Sequence, residues 1–597
     1  MAAPGPVVRI VTDVAALDKE FDYLVPDGLS GSVQVGTMVR LALGGRRVGG
    51  WVVATDVEPD PAVRLRPLAR RRGWGPEAAV VDLAGWAAWR WAGARSALLT
   101  TASPHLAVVH LPEPSPTPPP PPASATPGSK AIADMVADAL AGESGLAAPY
   151  VIRLPPGTDP TAVIAGAAQR GPTLVIVPTV AGAAVVAARL RRAGAGVALV
   201  PEEWALARAG AAVVVGARAA AWAPCPGLAA VVVIDGHDEA LHQEQNPTWD
   251  ATSVVAERAR RAAVPCLVTS PCPTLDLLAA AARVVLAPRA LERAGWAAIE
   301  VVDRRADDPR LGLYSEALVA LVRHGGRVAC VLNRKGRARL LACRSCAALA
   351  RCERCASALA EAEPPAEGDG MRALACPRCG WQRPWLCVIC GSMALRQLRL
   401  GVSRVRDDLE RLAGRPVAEV TGGRREPEPE ALRQAPVVVG TEAVLYRGGR
   451  FDEVAFLDFD GEVLAPRFRA GEEALGLLAR AARLVGGRGR VLIQTRIPDH
   501  PVITAAAAPD PAAVADAERQ LRVELRWPPF AALAAVSGAG AAPVVAALGN
   551  NPAIEILGPD RGRWLVRAAN ATTLADALAT RLRPAARVRI EVDPLRM

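Results

Sequence analysis

Four Cys-x-x-Cys pairs crowd between residues 343 and 390: Cys343/Cys346, Cys352/Cys355, Cys376/Cys379 and Cys387/Cys390. Each pair can bend into a knuckle whose two thiolates occupy one edge of a metal tetrahedron, so four pairs make two closed four-sulfur sites. The chain has 12 cysteines in 597 residues, too few for a disulfide scaffold. Such clustering reads as metal binding rather than as a disulfide or redox cluster. The six histidines, at 105, 110, 237, 242, 324 and 500, all lie outside the stretch, which predicts thiolate-only ligation. The second and third pairs stand a ribbon-like gap apart, leaving the first and last to join around them. The expectation is therefore a nested pair of structural zinc sites, two Zn²⁺ per chain. Cys343, Cys346, Cys387 and Cys390 hold one ion, and Cys352, Cys355, Cys376 and Cys379 the other.

Arginines surround this stretch: Arg334, Arg337, Arg339 and Arg344 with Lys335 before it, and Arg383, Arg396, Arg399, Arg404 and Arg406 later. With Trp381 and Trp385 near a tip, they could grip a phosphate backbone while an indole stacks on a base. The net charge of +10 points the same way, towards polyanionic partners and nucleic acid first. Arginine bias weakens that signal, because 67 of the 70 basic residues are arginine and only Lys19, Lys130 and Lys335 are lysine.

Elsewhere the pattern is α/β. Residues 7–57 alternate apolar and polar positions in short runs, which predicts a small β-rich domain, and a helical patch follows at 80–94. Residues 112–130 are rich in proline, five of them consecutive, and form an extended spacer. From 131 to 290 helices alternate with apolar runs such as Val213-Val214-Val215 and Val231-Val232-Val233-Ile234, which predicts a parallel sheet covered by helices. A second such lobe spans 291–497 and carries the cysteine-rich insert at 340–395. Residues 498–597 make a mixed α+β domain, and residues 1–111 the first one. The uncharged stretches 171–188 and 530–554 are broken by Pro and Gly and do not read as membrane spans. No leader pattern opens the chain. These features predict a cytoplasmic, nucleoid-associated protein with no membrane partner.

The order of parts is specific. Asn333-Arg334-Lys335-Gly336 leads into the first cysteine pair, and Gly401-Val402-Ser403-Arg404-Val405 follows the last. Leu17-Asp18-Lys19-Glu20-Phe21-Asp22-Tyr23-Leu24-Val25-Pro26 stands near the start, and Gly440-Thr441-Glu442, Phe468-Arg469-Ala470-Gly471-Glu472, Gln494-Thr495 and Trp527-Pro528-Pro529-Phe530 come later. This series resembles the PriA family of primosomal replication-restart proteins over nearly the whole chain. The resemblance implies a domain for DNA 3′ ends, two RecA-like helicase-type lobes, a double zinc ribbon in lobe 2 and an α+β C-terminal domain. It also implies that Phe21, Asp22, Tyr23 and Gly44 line a pocket for the terminal nucleotide of a 3′-ended strand. Forked DNA, other primosome proteins, the replicative helicase and single-strand DNA-binding protein are the implied partners.

The chain departs from the family where the motor should be. No lysine is followed by Ser or Thr, and Leu154-Pro155-Pro156-Gly157-Thr158-Asp159-Pro160-Thr161 stands where a phosphate-binding Gly-Lys-Thr loop belongs. Prolines remove amide donors there and Asp159 would repel phosphate. The Asp-Glu-Glu-His box reads Asp235-Gly236-His237-Asp238, without the water-activating glutamate. His237, Asp238, Glu239 and His242 lack metal-site spacing and read as a core remnant. Counted back from Gln494-Thr495, the arginine-finger positions are Ala481 and Leu484, although a one-residue slip would bring Arg480 and Arg483 into register. The family's winged-helix module has no counterpart beside the proline spacer. A fork-binding restart factor with neither catalytic nor nucleotide-binding residues is the expectation. The alternatives are an active ATP-dependent 3′–5′ helicase and a zinc-ribbon scaffold for RNA or protein.

Overall fold

In the computed structural model of the protein the described residues are 6–14, 17, 19–60, 62–113, 118–121, 127–140, 148–307, 313–324, 326–332, 341–346, 348–362, 372–397, 402–420, 429–447, 449–581 and 586–596. The expected positions Asp18, Arg334, Lys335, Arg337, Arg339, Arg399 and Gly401, with Asn333 and Gly336, lie outside them.

Alternating apolar residues build the N-terminal part into a barrel. Val7–Thr12, Glu20–Leu24, Met38–Leu43 and Arg46–Thr55 pair antiparallel. Arg66–Pro67 then joins the Glu20–Leu24 edge and Arg70–Gly73 the Met38–Leu43 edge, so one short segment closes both edges of the sheet. Ile10, Tyr23, Val39, Leu41 and Val52 fill the interior.

The apolar runs become two wholly parallel sheets, as strands buried on both faces should. Lobe 1 has seven strands in the order Arg283–Leu286, Tyr150–Arg153, Cys266–Ser270, Ala230–Val233, Thr173–Ile176, Val213–Gly216 and Val197–Val200. Lobe 2 has six: Ala298–Asp303, Arg490–Thr495, Glu453–Phe456, Val328–Val331, Val437–Gly440 and Val417–Val420. The expected multidomain α/β architecture is found, with two parallel-sheet lobes and the cysteine-rich insert in the second.

The helix Pro127–Leu140 starts inside the proline-rich stretch, and its Ile132, Met135 and Val136 pack in the lobe 1 core. The carbonyls of Pro118 and Pro120 accept hydrogen bonds from the Gly196 amide at 3.3 Å and the Gln169 side chain at 2.8 Å. This part of the spacer lies against lobe 1. Helices Pro501–Ala507 and Ala512–Leu525 pack in the lobe 2 core, and a four-stranded antiparallel sheet begins at Ala532. That sheet is tied back to the N-terminal helices by Trp89 to Asp576 at 3.0 Å and Arg90 to Asp593 at 2.7 Å. Among the described residues no helix is long and apolar enough to cross a membrane.

Trp222 is fully buried and meets Trp249 edge-to-face at 5.5 Å, beneath the core shared by the N-terminal helices, lobe 1 and the C-terminal sheet. Trp222→Ala should cost about 3–5 kcal/mol through the cavity it leaves. Thermal unfolding followed by near-ultraviolet circular dichroism checks this: the lobe 1 transition moves down by several degrees, and an unmoved transition contradicts the packing.

Candidate functional site

The insert places the eight cysteines in the nested arrangement. Sulfur atoms of Cys343 and Cys390 lie 3.6 Å apart and those of Cys346 and Cys387 3.5 Å apart. In the inner cluster Cys352–Cys379 is 3.6 Å and Cys355–Cys376 is 3.5 Å. Four sulfurs at ~2.3 Å from a central ion would sit about 3.8 Å apart, so each set fits a tetrahedral ion. Backbone geometry makes the knuckles. The amides of Cys343, Cys352, Cys376 and Cys387 each donate to the carbonyl five residues on, at 2.7–2.9 Å. Gly380 and Gly391 then take φ of +74° and +73°, directly after the second cysteine of their knuckles. Ala356 holds the matching place at φ +58°. Hydrogen bonding from the Cys355 thiol holds the Cys376 thiol low, at about 5, which favours the thiolate. With all four positions filled by protein sulfur, neither set leaves room for a substrate. Cys346 and Cys390 of the outer set are exposed, whereas the inner set is buried or half-buried.

The insert's surface differs from the expected DNA grip. Trp385 is buried, its indole N–H donates to Met393 O at 3.0 Å, and Arg372 covers its ring at 3.7 Å. It cannot stack on a base. Trp381 is half-buried in the same small core. Arg383 is buried against Glu353 at 3.1 Å, and Arg406 pairs with its neighbour Asp407. Arg344 and Arg404 remain exposed, and Arg396 is half-buried.

The loop that stands where a phosphate cradle is expected is tied up by the chain itself, although a cavity of about 600 Å³ remains beside it between His237, Asp238 and Thr274 of lobe 1 and Tyr446, Arg469 and Arg480 of lobe 2. Gly157 N–H donates to Gly295 O at 2.8 Å and Thr158 N–H to Pro155 O at 3.0 Å, so these amides are spent inside the protein. Asp159 pairs with Arg189 at 2.9 Å. Facing this loop, the helix Ala470–Val485 projects Arg480 and Arg483 from one side, three residues apart. Arg483 makes a bidentate pair with Asp235, one arm at 2.7 Å, and its Nε–H donates to Pro156 O at 2.8 Å. Arg480 pairs with Asp238 and lies 3.9 Å over the Tyr446 ring. Ala481 is buried in the core and Leu484 packs against it. The basic side chains of this helix that reach lobe 1 are thus Arg480 and Arg483, each one residue before the positions counted from the sequence, Ala481 and Leu484. Burial works against the Asp235 carboxylate, but Arg483 holds it well below the usual carboxylate range. Burial also lowers the pKa of His237, which contacts Ser270 Oγ at 3.1 Å. A Cβ at Gly236 would lie 2.4 Å from Val268 Cγ1, so lobe 1 has closed over the place of the missing glutamate. His237, Asp238, Glu239 and His242 form no metal-ligating group; among the described residues only the two cysteine sets do.

On the barrel, strand alternation separates the expected pocket residues. Phe21 packs on the interior with Tyr23, which is 4% exposed and donates its hydroxyl to Ala42 O at 2.8 Å. Asp22 points the other way into a bidentate pair with Arg9, at 2.8 and 3.1 Å. Gly44 stands in a left-handed turn, φ +56°, with open space around it, two residues beyond the carbonyl that Tyr23 reaches. Tyr23 and Gly44 therefore approach one end of the barrel, and Asp22 lies on its outer wall.

The family model of the PriA 3′ DNA-binding domain matches residues 9–104. The probable replication restart protein PriA of Mycobacterium leprae is 30% identical over 577 residues, covering 88% of this chain and 86% of that protein. Its counterpart from Mycobacterium tuberculosis H37Rv is 30% identical over 565 residues, covering 88% and 85%. Replication restart protein PriA of Haemophilus influenzae is 28% identical over 353 residues, covering 55% of this chain and only 47% of that protein.

The nested geometry makes the two sets separable. Metal analysis of freshly purified, reduced protein should return two ions per chain, with Cys376→Ser losing the inner one and Cys387→Ser the outer. Joint loss in both variants would mean that adjacent pairs share ions. Because two outer ligands are exposed, a chelator should strip one equivalent quickly and the other slowly. A single fast phase for both would contradict the difference in burial.

Proposed function

This chain belongs to the replication restart protein PriA family, and from that premise we propose that it binds abandoned or stalled forks and promotes primosome assembly without a motor of its own. In this reading the barrel takes the 3′ end of the strand at the end where Gly44 stands, with Asp22 meeting the nucleotide from the outer wall and Phe21 and Tyr23 supporting the site from the interior. The cysteine sets hold two zinc ions as structural staples, a natural ion for closed four-thiolate ligation. Reloading of the replicative helicase proceeds through other primosome proteins, with single-strand DNA-binding protein a further partner, in the nucleoid-associated cytoplasm.

The observation that supports the motor-less reading is that Asp235 and the Pro155–Gly157 loop are engaged by the protein's own groups. Phosphoryl transfer needs amides and a lysine around the β- and γ-phosphates, a metal on the box aspartate and a positioned water. Here a carbonyl, Pro156 O, faces the cleft, and Arg483 occupies the aspartate on which the metal would sit. Gly236 leaves no carboxylate for the water. These groups hold the lobes together as a platform for DNA and partners, which is the useful remainder of the fold.

Fork binding should therefore be the same with and without ATP in a fluorescence anisotropy titration. An ATP-dependent change in fork affinity would contradict the platform. Asp22→Ala should weaken binding to forks with an available 3′ end and leave forks lacking it nearly unchanged. Equal loss on both would mean that Asp22 serves only its pair with Arg9. Gly236→Glu, which restores the box glutamate, should gain no ATPase activity and lose roughly 1–3 kcal/mol by overpacking against Val268. Recovered turnover in that variant would show the rest of the site to be intact.

A further inference from the structure

Arg378 stands inside the inner cysteine knuckle, between Cys376 and Cys379. Its guanidinium lies 3.3 Å from Glu518 on the helix Ala512–Leu525, and both side chains are largely buried. Glu518 is 3.7 Å from Arg522, which has no exposed surface at all. Arg522 donates to Glu472 at 2.6 Å, and the other oxygen of Glu472 accepts the Leu275 amide of lobe 1 at 2.7 Å. Arg522 is also 3.9 Å from Asp276, which pairs with Arg469 of lobe 2. Aromatic rings line this line of charges: Phe468 and Trp527 meet at 5.9 Å, with Arg378 over Trp527 and Arg522 over Phe468. The path thus runs from a metal knuckle, through the helix Ala512–Leu525 and lobe 2, to the first turn of the lobe 1 helix Leu275–Ala280.

Such a chain is stiff for a physical reason. A buried charge that loses its partner is strongly disfavoured, so each link keeps the next in place. Arg522 can leave Glu472 only by stranding itself in a dry site. The Leu275 amide is an otherwise orphan donor of a helix start, and lobe 2 supplies its acceptor. At the other end, the knuckle backbone places Arg378, and that backbone is set by the four inner sulfurs. Among the described residues nothing comparable leaves the outer set, whose second knuckle exposes Val388 and Ile389 instead.

We propose that the inner cysteine set is the anchor of an ionic strut, Arg378–Glu518–Arg522–Glu472, that latches lobe 1 onto lobe 2. Loss of the inner ion loosens this joint between the lobes, whereas loss of the outer ion does not. The inference rests on the reading that the inner set holds a metal ion, and it adds a regulatory consequence: whatever strips that ion loosens the platform. Arg378 and Glu518 are positioning residues in it.

The test is hydrogen exchange of the full, zinc-loaded chain, read on a peptide covering residues 272–280, with zinc content measured on the same samples. Arg378→Ala, with both ions retained, should speed exchange of the Leu275 amide about tenfold or more, because a sub-global opening becomes easier. Cys376→Ser should do the same, Arg378→Lys should recover most of the protection, and Cys387→Ser should leave it within about twofold. Exchange of the lobe 2 strand Val437–Gly440 reports whether the variants stay folded, and it should not change. Unchanged Leu275 exchange in metal-loaded Arg378→Ala overturns the strut, as does equal acceleration in Cys387→Ser. Retention of both ions by Cys376→Ser would instead defeat the metal reading itself, and the two failures are told apart by the zinc measurement.

Discussion

Arg483 reaches from the lobe 2 helix to the Asp235 carboxylate and the Pro156 carbonyl of lobe 1, and much of the molecule is arranged around that contact. A guanidinium between a carboxylate and a carbonyl satisfies three polar groups that would otherwise be stranded at the lobe interface. In a nucleotide-driven motor those groups must be free to exchange partners with phosphate and metal, so that closure depends on the ligand. Here the closing charge is built into the chain. Removing Arg483 would leave the buried Asp235 carboxylate uncompensated, at a cost of about 3–5 kcal/mol, comparable to the few kcal/mol that separate conformations of a typical domain.

The rest of the structure extends this fixed closure. Arg480 with Asp238 and Arg469 with Asp276 add further cross-lobe pairs. The C-terminal sheet bonds to both the N-terminal helices and lobe 1, with Thr248 and Val592 exchanging hydrogen bonds at 3.0 Å. The insert is pinned to lobe 2 by Ala358 N–H on Leu464 O at 2.9 Å and by Arg378 on Glu518. A body held at so many joints suits a protein that presents DNA and partner sites at set positions, and does not suit one that must cycle.

The two four-cysteine clusters are legible in the sequence because a knuckle is local: spacing within each pair fixes two sulfurs, and the ribbon gap fixes which pairs meet. The parallel lobes were legible because strands buried on both faces read as unbroken apolar runs. Edge strands such as Ala298–Asp303 and Val417–Val420 were not, since half-exposed strands mix polar residues into the run. That Arg480 and Arg483, rather than positions 481 and 484, face lobe 1 is not legible from a distance to Gln494-Thr495, because residues 486–489 form a glycine-rich turn whose length no periodicity constrains. The burial of Trp385 and Arg522 was hidden for a different reason. A small ribbon has no helical or strand period to sort inside from outside, and one arginine in an arginine-rich helix looks like any solvated one until its neighbours are known. Phe21 and Tyr23 sharing the barrel interior, by contrast, follows from alternation alone.

ATP hydrolysis by the zinc-loaded, full-length chain, followed by phosphate release with and without a DNA fork carrying a 3′ end, tests the motor-less reading most directly. The account predicts release at the background rate in both cases, because the Pro155–Gly157 loop and the Asp235 carboxylate are engaged by the protein's own groups. Fork-stimulated turnover that scales with protein concentration and is abolished by Arg483→Ala would contradict it, since Arg483 would then be serving a nucleotide rather than replacing one.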